Sequence, residues 1–236
     1  MLFDSQNLLA FYESPIGQVT RRLIYRRLRL IWPDLRSQRL LGYGFAVPYL
    51  RGFTLEAERV TALIPAPQGA LAWPEKRPQT LVAEEDALPF PDAMFDRVLM
   101  VHGLEAADSA RVVMRQVWRV LAPAGRLLIV APNRTSLWAQ VDRSPFAHGR
   151  PFSRAQLGRL LQETMFVAEQ WDSALLQPPL QSRRLVRTGT GWERMGRYFW
   201  PRLAGVHLVE ASKSLYAPAP VAIAKRLKGT LIPAPA

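Results

Sequence analysis

From residue 38 onward, short apolar runs alternate with stretches of helical spacing, and this rhythm limits the fold more than any other feature of the chain. "RLLGYG" (39–44), "RVTALIP" (59–65), "QTLVAEED" (79–86), "FDRVLMVHGL" (95–104) and "GRLLIVAPN" (125–133) each read as a strand. Between the last two, "DSARVVMRQVWRVLAP" carries Val112, Val113, Trp118 and Val120 on a helical pattern. Asp108 or Ser109 can cap its start, and Pro123 to Gly125 end it. In "PFSRAQLGRLLQETMF", Ser153 followed by Gln156 is a capping-box signature for another helix. "FVAEQWDSALL" and "VHLVEASKSLY" read as two later strands, and residues 181–205 between them as helical, aromatic and basic. Strands alternating with helices predict an α/β domain, a parallel sheet covered on both faces.

Before this region, residues 3–35 read as two helical pieces broken near Ser14-Pro15. The second piece sets Val19, Leu23, Leu28 and Ile31 beside Arg21, Arg22, Arg26, Arg27 and Arg29. Such a helix packs on a domain with a solvated arginine face, lies on a membrane or covers an active site. Three regions follow: an N-terminal helical cap (1–37), the main domain (38–217) and a Pro/Ala-rich basic tail (218–236) expected to be mobile.

Composition narrows the chemistry. With no cysteine in 236 residues, disulfides, thiolate metal sites and cysteine nucleophiles are excluded. His102, His148 and His207 lie far apart without ligand spacing, so no metal is expected. No stretch approaches the roughly 18 apolar residues of a spanning helix. The N-terminus shows no basic-then-apolar leader, and the expectation is a cytoplasmic protein. The formal charge of +12 is nearly all arginine, spread along the chain. It reads either as a solvated basic surface or as attraction to an anionic partner or membrane surface through the basic N-terminal helix. A homodimer through that helix is a further expectation.

Taken together, "EEDALPFPDAMFDRVLMVHGLE" and "VMRQVWRVLAPAGRLLIVAPN" resemble the class I S-adenosylmethionine-dependent methyltransferases of the small-molecule type. In that family "LPFPD", "FD" and "R-V-L-x-P-x-G-R-L" recur in this order, and the likeness runs over roughly residues 38–172. It implies a three-layer Rossmann-like methyltransferase fold whose seven-stranded, mostly parallel sheet has an antiparallel last strand. It also implies S-adenosyl-L-methionine across the carboxyl ends of the first strands, in keeping with the crevice rule for open α/β sheets.

Carried over residue by residue, the resemblance gives a degenerate cofactor site. The family's acid and three glycines fall on Leu40, Gly42, Gly44 and Ala46, with Tyr43 between the two glycines that remain. A plain strand-to-helix turn would use Gly42 and Gly44 equally well. The ribose-binding acid falls on Ile64, followed by Pro65, and Gln68 is the nearest polar side chain. Glu84, Glu85 or Asp86 would accept from the adenine amino group, and Leu88, Pro89 and Phe90 would wall it. After the fourth strand, His102 and Glu105 are the candidates for a general base or substrate contact. His102 would also touch the cofactor. The loop after the fifth strand offers Asn133, Arg134, Trp138, Asp142, His148 and Arg150 as a lid or substrate pocket. The expected reaction is methyl transfer to a small or lipid-like acceptor. A methyltransferase-fold binding or regulatory module with weak or lost catalysis is the alternative, motivated by Leu40 and Ile64. RNA methylation is a third, encouraged by the charge alone.

Overall fold

The structure, a computed structural model, describes residues 4–74, 79–179 and 203–214. The segment expected to be helical at 181–205 lies largely outside these residues, and the expected tail lies wholly outside them.

Two helices open the chain, α1 (Ser5–Glu13) and α2 (Pro15–Ile31). Ser14 separates them: its hydroxyl donates to Phe11 O and accepts from Gly17 N–H, while Pro15 starts α2 without needing an N–H partner. There follow β1 (Arg39–Gly44), α3 (Val47–Leu50), β2 (Arg59–Pro65), β3 (Thr80–Ala83) and β4 (Phe95–Val101). The remainder is α4 (Ala110–Val120), β5 (Leu121–Pro132), α5 (Arg154–Glu163), β6 (Phe166–Ala174) and β7 (Val206–Lys213). The Ser153–Gln156 capping box of α5 is present in both directions.

The seven strands lie in the order β3-β2-β1-β4-β5-β7-β6. β1 through β5 pair in parallel, and β7 runs antiparallel to both β5 and β6. This is the mostly parallel sheet with an antiparallel last strand that the resemblance implied. Chain order reverses at β1, which sits between β2 and β4, so the crevice of such a sheet belongs at the carboxyl ends of β1 and β4.

Period-two alternation divides the core into two layers. Leu40, Val60, Leu99, Val101 and Leu128 face one side, where Leu8, Tyr12, Leu23, Ile24 and Leu28 of α1 and α2 join the same cluster. Leu41, Leu63, Val98, Met100 and Ile129 face the other, against Val113, Val117, Leu157 and Leu161 of α4 and α5. The region expected as an N-terminal cap is therefore built into one covering layer. Arg27 and Arg29 of its basic helix are tied down by Asp172 and Glu56.

β5 begins four residues earlier than its apolar run, at Leu121 rather than Gly125. Leu121 pairs with Phe95, and its carbonyl takes a hydrogen bond from Lys213 Nζ at 2.8 Å. Pro123 and Gly125 thus lie in an irregular stretch of strand, where the register shifts between Phe95 and Arg97.

Candidate functional site

At the end of β4 the chain turns through His102, whose φ of 51° is unusual for a residue bearing a side chain. That conformation sets its imidazole among buried partners. His102 Nδ1 lies 3.1 Å from Glu105 Oε1, and both side chains are only 1% exposed. Nε2 lies 2.8 Å from the hydroxyl of Tyr12 on α1. Tyr49 of α3 donates in turn to the Tyr12 oxygen at 3.0 Å. Burial, together with Tyr49 and the charge of Glu105, pushes the Tyr12 phenol well above its usual pKa. Its hydroxyl proton therefore stays on, and it donates to Nε2. The pattern is consistent in one direction: Tyr49 O–H to Tyr12, Tyr12 O–H to His102 Nε2, and His102 Nδ1–H to the Glu105 carboxylate.

Gln68 closes the space from the other side. Its side-chain amide nitrogen donates to the His102 backbone carbonyl, and the Gln68 backbone carbonyl accepts from the Ser5 hydroxyl of α1 at 2.7 Å. Two acceptor atoms in this layer, Gln68 Oε1 and Glu105 Oε2, are buried without a hydrogen-bond partner. Above them, Tyr12 stacks on Phe45, while His102 lies against Phe146 with ring centroids 5.0 Å apart. α1 thus fills the end of the sheet at its switch point.

The expected glycine loop is packed as part of the core. A Cβ on Gly42 would meet Leu50 and Ala46, so this glycine lets α3 sit directly on β1. Gly44 has φ +77°, and a Cβ there would lie 2.4 Å from Val101 O and 2.7 Å from Gly103 N. Its bare backbone is filled by the β4 turn. Tyr43 is fully buried on the opposite face, where burial, with a smaller contribution from Glu85, pushes its phenol up. Leu40 and Ile64, standing where the family has acids, are both fully buried.

Pro65 ends β2, one turn ahead of Gln68. Glu84 and Asp86 are exposed, whereas Glu85 accepts from Asp108 N–H at 3.1 Å and bridges the turns after β3 and β4. Burial raises the Glu85 pKa, against the lowering effect of that hydrogen bond. Leu88 and Phe90 are buried beside Phe95. In the loop after β5, Asn133 holds Ala204 O and Trp138 donates to Gln177 O, so both are pinned inside. Arg134 reaches Gln156 at the surface, and Asp142 is exposed. His148 follows the turn that seats Phe146. Arg150 donates through its backbone to Glu105 O, and lines a cavity of about 430 Å³ with Leu104, Phe152 and Arg159. His102, Glu105 and Gln68 are thus gathered at one place; the Arg150 side chain turns away to Asp108 O at the surface, and Trp138 and Tyr43 are drawn into the core. Tyr12, Ser5 and Tyr49 gave no signal in the sequence, because nothing local ties them to a residue many strands away.

Residues 41–129 match the family described as methyltransferase domain. Over these residues the chain carries a methyltransferase domain, in line with its resemblance to the class I S-adenosylmethionine-dependent methyltransferases. Among curated proteins it is 28% identical over 116 residues to the ubiquinone/menaquinone biosynthesis C-methyltransferase UbiE of Azotobacter vinelandii, covering 48% of this chain and 44% of that one. The chain thus spans less than half the length of the curated relatives it matches. Among solved structures, an S-adenosylmethionine-dependent methyltransferase from Mesorhizobium loti superposes with a TM-score of 0.56 at 15% identity, over 79% of this chain and 95% of that one. The [4+2]-cyclase SpnF superposes with a TM-score of 0.57 at 20% identity, over 81% of each chain. The methyltransferase domain and the S-adenosylmethionine-dependent methyltransferases of like fold imply S-adenosylmethionine as the cofactor. The residues fit it in chemistry: Gln68 Oε1 and Glu105 Oε2 are buried acceptors with no donor, at the strand ends where ribose hydroxyls and a cationic group would meet them. The space between them is taken by α1. Among the described residues no group of three or more acids and histidines could hold a metal, and no helix is long and apolar enough to cross a membrane.

Proposed function

We propose that this chain transfers a methyl group from S-adenosylmethionine to a small or lipid-like acceptor bearing an acidic hydroxyl, and that α1 holds its crevice closed. The observation that carries this reading is the Tyr12 hydroxyl on His102 Nε2, with Glu105 behind the ring. A phenol already sits where an acceptor's hydroxyl would need a base, and a small lipid-like acceptor agrees with the relative named above, a ubiquinone/menaquinone biosynthesis C-methyltransferase.

With α1 withdrawn, Nε2 would take the acceptor proton while Glu105 steadies the imidazolium that forms. Gln68 and Glu105 would hold the cofactor, which supplies an already activated methyl group. The protein's share is then alignment and exclusion of water. Opening has a definite magnitude. Exposing Leu8 and Tyr12, at about 1.5–3 kcal/mol each, costs about 3–6 kcal/mol. That leaves roughly one molecule in 10² to 10⁴ open, and weakens cofactor binding by the same factor.

Calorimetric titration with S-adenosylhomocysteine tests the reading. Weak, saturable binding to the whole chain is expected, with loss of methyl transfer but retained binding in His102→Gln. Absence of heat at millimolar ligand in the wild-type chain and in a variant loosened at α1 would sink it. That result would favour a methyltransferase-fold module without catalysis, the reading that the buried Leu40 and Ile64 support.

A further inference from the structure

The crossover from β2 to β3 leaves one part of the sheet thinly covered. Its only helical piece among the described residues is the single turn Ala66–Gln68. α3, on the other side of β2 in chain order, is only four residues long. Between α1, α3 and this crossover lies a cavity of about 820 Å³. That is within the range of roughly 300–1,000 Å³ typical of small-molecule sites. It is not the crevice described above, since it is lined by Arg59 and Val60 at the start of β2, and only Tyr12 is shared with the His102 cluster.

Its lining has two kinds of surface. Leu9, Val47, Pro48, Val60, Leu71 and Trp73 form an apolar wall. Arg21, Arg51 and Arg59 line the same cavity, and all three are exposed. Among the described residues, the arginine ion pairs engage Arg27, Arg29, Arg36, Arg39, Arg111, Arg119 and Arg126, and none of these three. Two carboxylates also line it. They are Glu58, just ahead of β2, and Glu13 at the end of α1, both exposed. Guanidinium groups without ion-pair partners beside a half-buried apolar wall suit a ligand with one charged end.

We propose that this cavity binds an anionic amphiphile, its apolar body against Val60, Leu71 and Trp73 and its phosphate or carboxylate head on Arg21, Arg51 and Arg59. Such a molecule arrives free in solution or from an anionic bilayer. Leu55 is fully exposed on the turn that contributes Thr54 and Ala57 to the lining, where it can reach a bilayer.

Octyl phosphate, inorganic phosphate and 1-octanol are the probes, titrated calorimetrically into the full chain with no cofactor present. Saturable one-site binding of octyl phosphate is expected, at least ten-fold tighter than either of the other two. The double variant Arg51→Gln/Arg59→Gln should weaken it at least ten-fold. Ala72→Trp, at an exposed lining position, should block it by filling the cavity without disturbing the core. Equal affinity for octanol, or binding indifferent to both variants, would overturn the proposal, as would no saturable binding of octyl phosphate. Co-sedimentation with phosphatidylglycerol vesicles that octyl phosphate reverses assigns a membrane lipid; octyl phosphate binding without co-sedimentation assigns a free amphiphile. Because no methyl donor is used, failure here leaves the proposed reaction standing, and failure of that reaction leaves this cavity untouched.

Discussion

The Tyr12 hydroxyl lies 2.8 Å from His102 Nε2 and joins the first helix of the chain to the turn after β4. Around it the Tyr12 ring stacks on Phe45 and meets Tyr49 edge-on. The crevice of a methyltransferase sheet is therefore sealed by a polar contact set within an aromatic one.

Replacing Tyr12 with Phe keeps the stacking and removes the hydroxyl. The Tyr49 hydroxyl then loses the acceptor it donates to in a buried place, which costs about 1–3 kcal/mol. A lower urea midpoint with an unchanged slope is expected. If α1 competes with the cofactor, the same change should tighten S-adenosylhomocysteine binding about 5–150-fold. Weaker binding would show that Tyr12 belongs to the binding site and is no plug.

Gly44→Ala should damage the fold itself. The positive φ and the contact with Val101 O leave no place for a methyl group. Backbone strain and overpacking together amount to about 2–6 kcal/mol. Thermal unfolding is the measurement, and a shift of less than a degree would show that the turn after β4 can move aside.

Gly158→Ala should act in the opposite direction. Gly158 lies inside α5, where an added Cβ meets only Trp171 at 3.9 Å. Helix propensity predicts a gain of about 0.8–1 kcal/mol, read as a higher midpoint in urea.

His207 provides a pH dependence. Burial, and then the charge of Arg154, lowers its pKa from 6.5 to about 4. Between those values the unfolded chain binds more protons than the folded one, so stability falls as pH drops from 6.5 towards 4. The slope from this group is at most about 1.4 kcal/mol per pH unit. His207→Gln should flatten the difference between urea midpoints at pH 6.5 and pH 5; an unchanged slope would assign the effect to other groups.

The sheet was legible because its signal is local. β1 and β2 begin and end where their apolar runs do, and Ser153 with Gln156 marked the start of α5 from side-chain chemistry alone. The start of β5 was not legible, because Leu121 is held by Phe95 and Lys213, residues distant in the chain. At the site, the strand-end positions placed His102, Glu105 and Gln68 in one neighbourhood. Trp138 and Asn133 were read as loop residues over the crevice, whereas their polar atoms are satisfied inside, by Gln177 O and Ala204 O. The part played by α1 could not be read at all. A tyrosine on an amphipathic helix looks like any core aromatic until the fold shows what its hydroxyl touches.

The distance along the chain between Tyr12 and His102 also bears on how the protein is made. Ninety residues separate the two. At a synthesis rate of about 5–20 residues per second, α1 leaves the ribosome about 5–18 s before the turn that receives it exists. Until β4 has taken its place beside β1, the Tyr12 hydroxyl lacks its His102 partner. Contacts so far apart in sequence form late, because the intervening loop must first be closed. α1 is thus made well before the turn that receives it, and its polar contact with that turn is expected to form late.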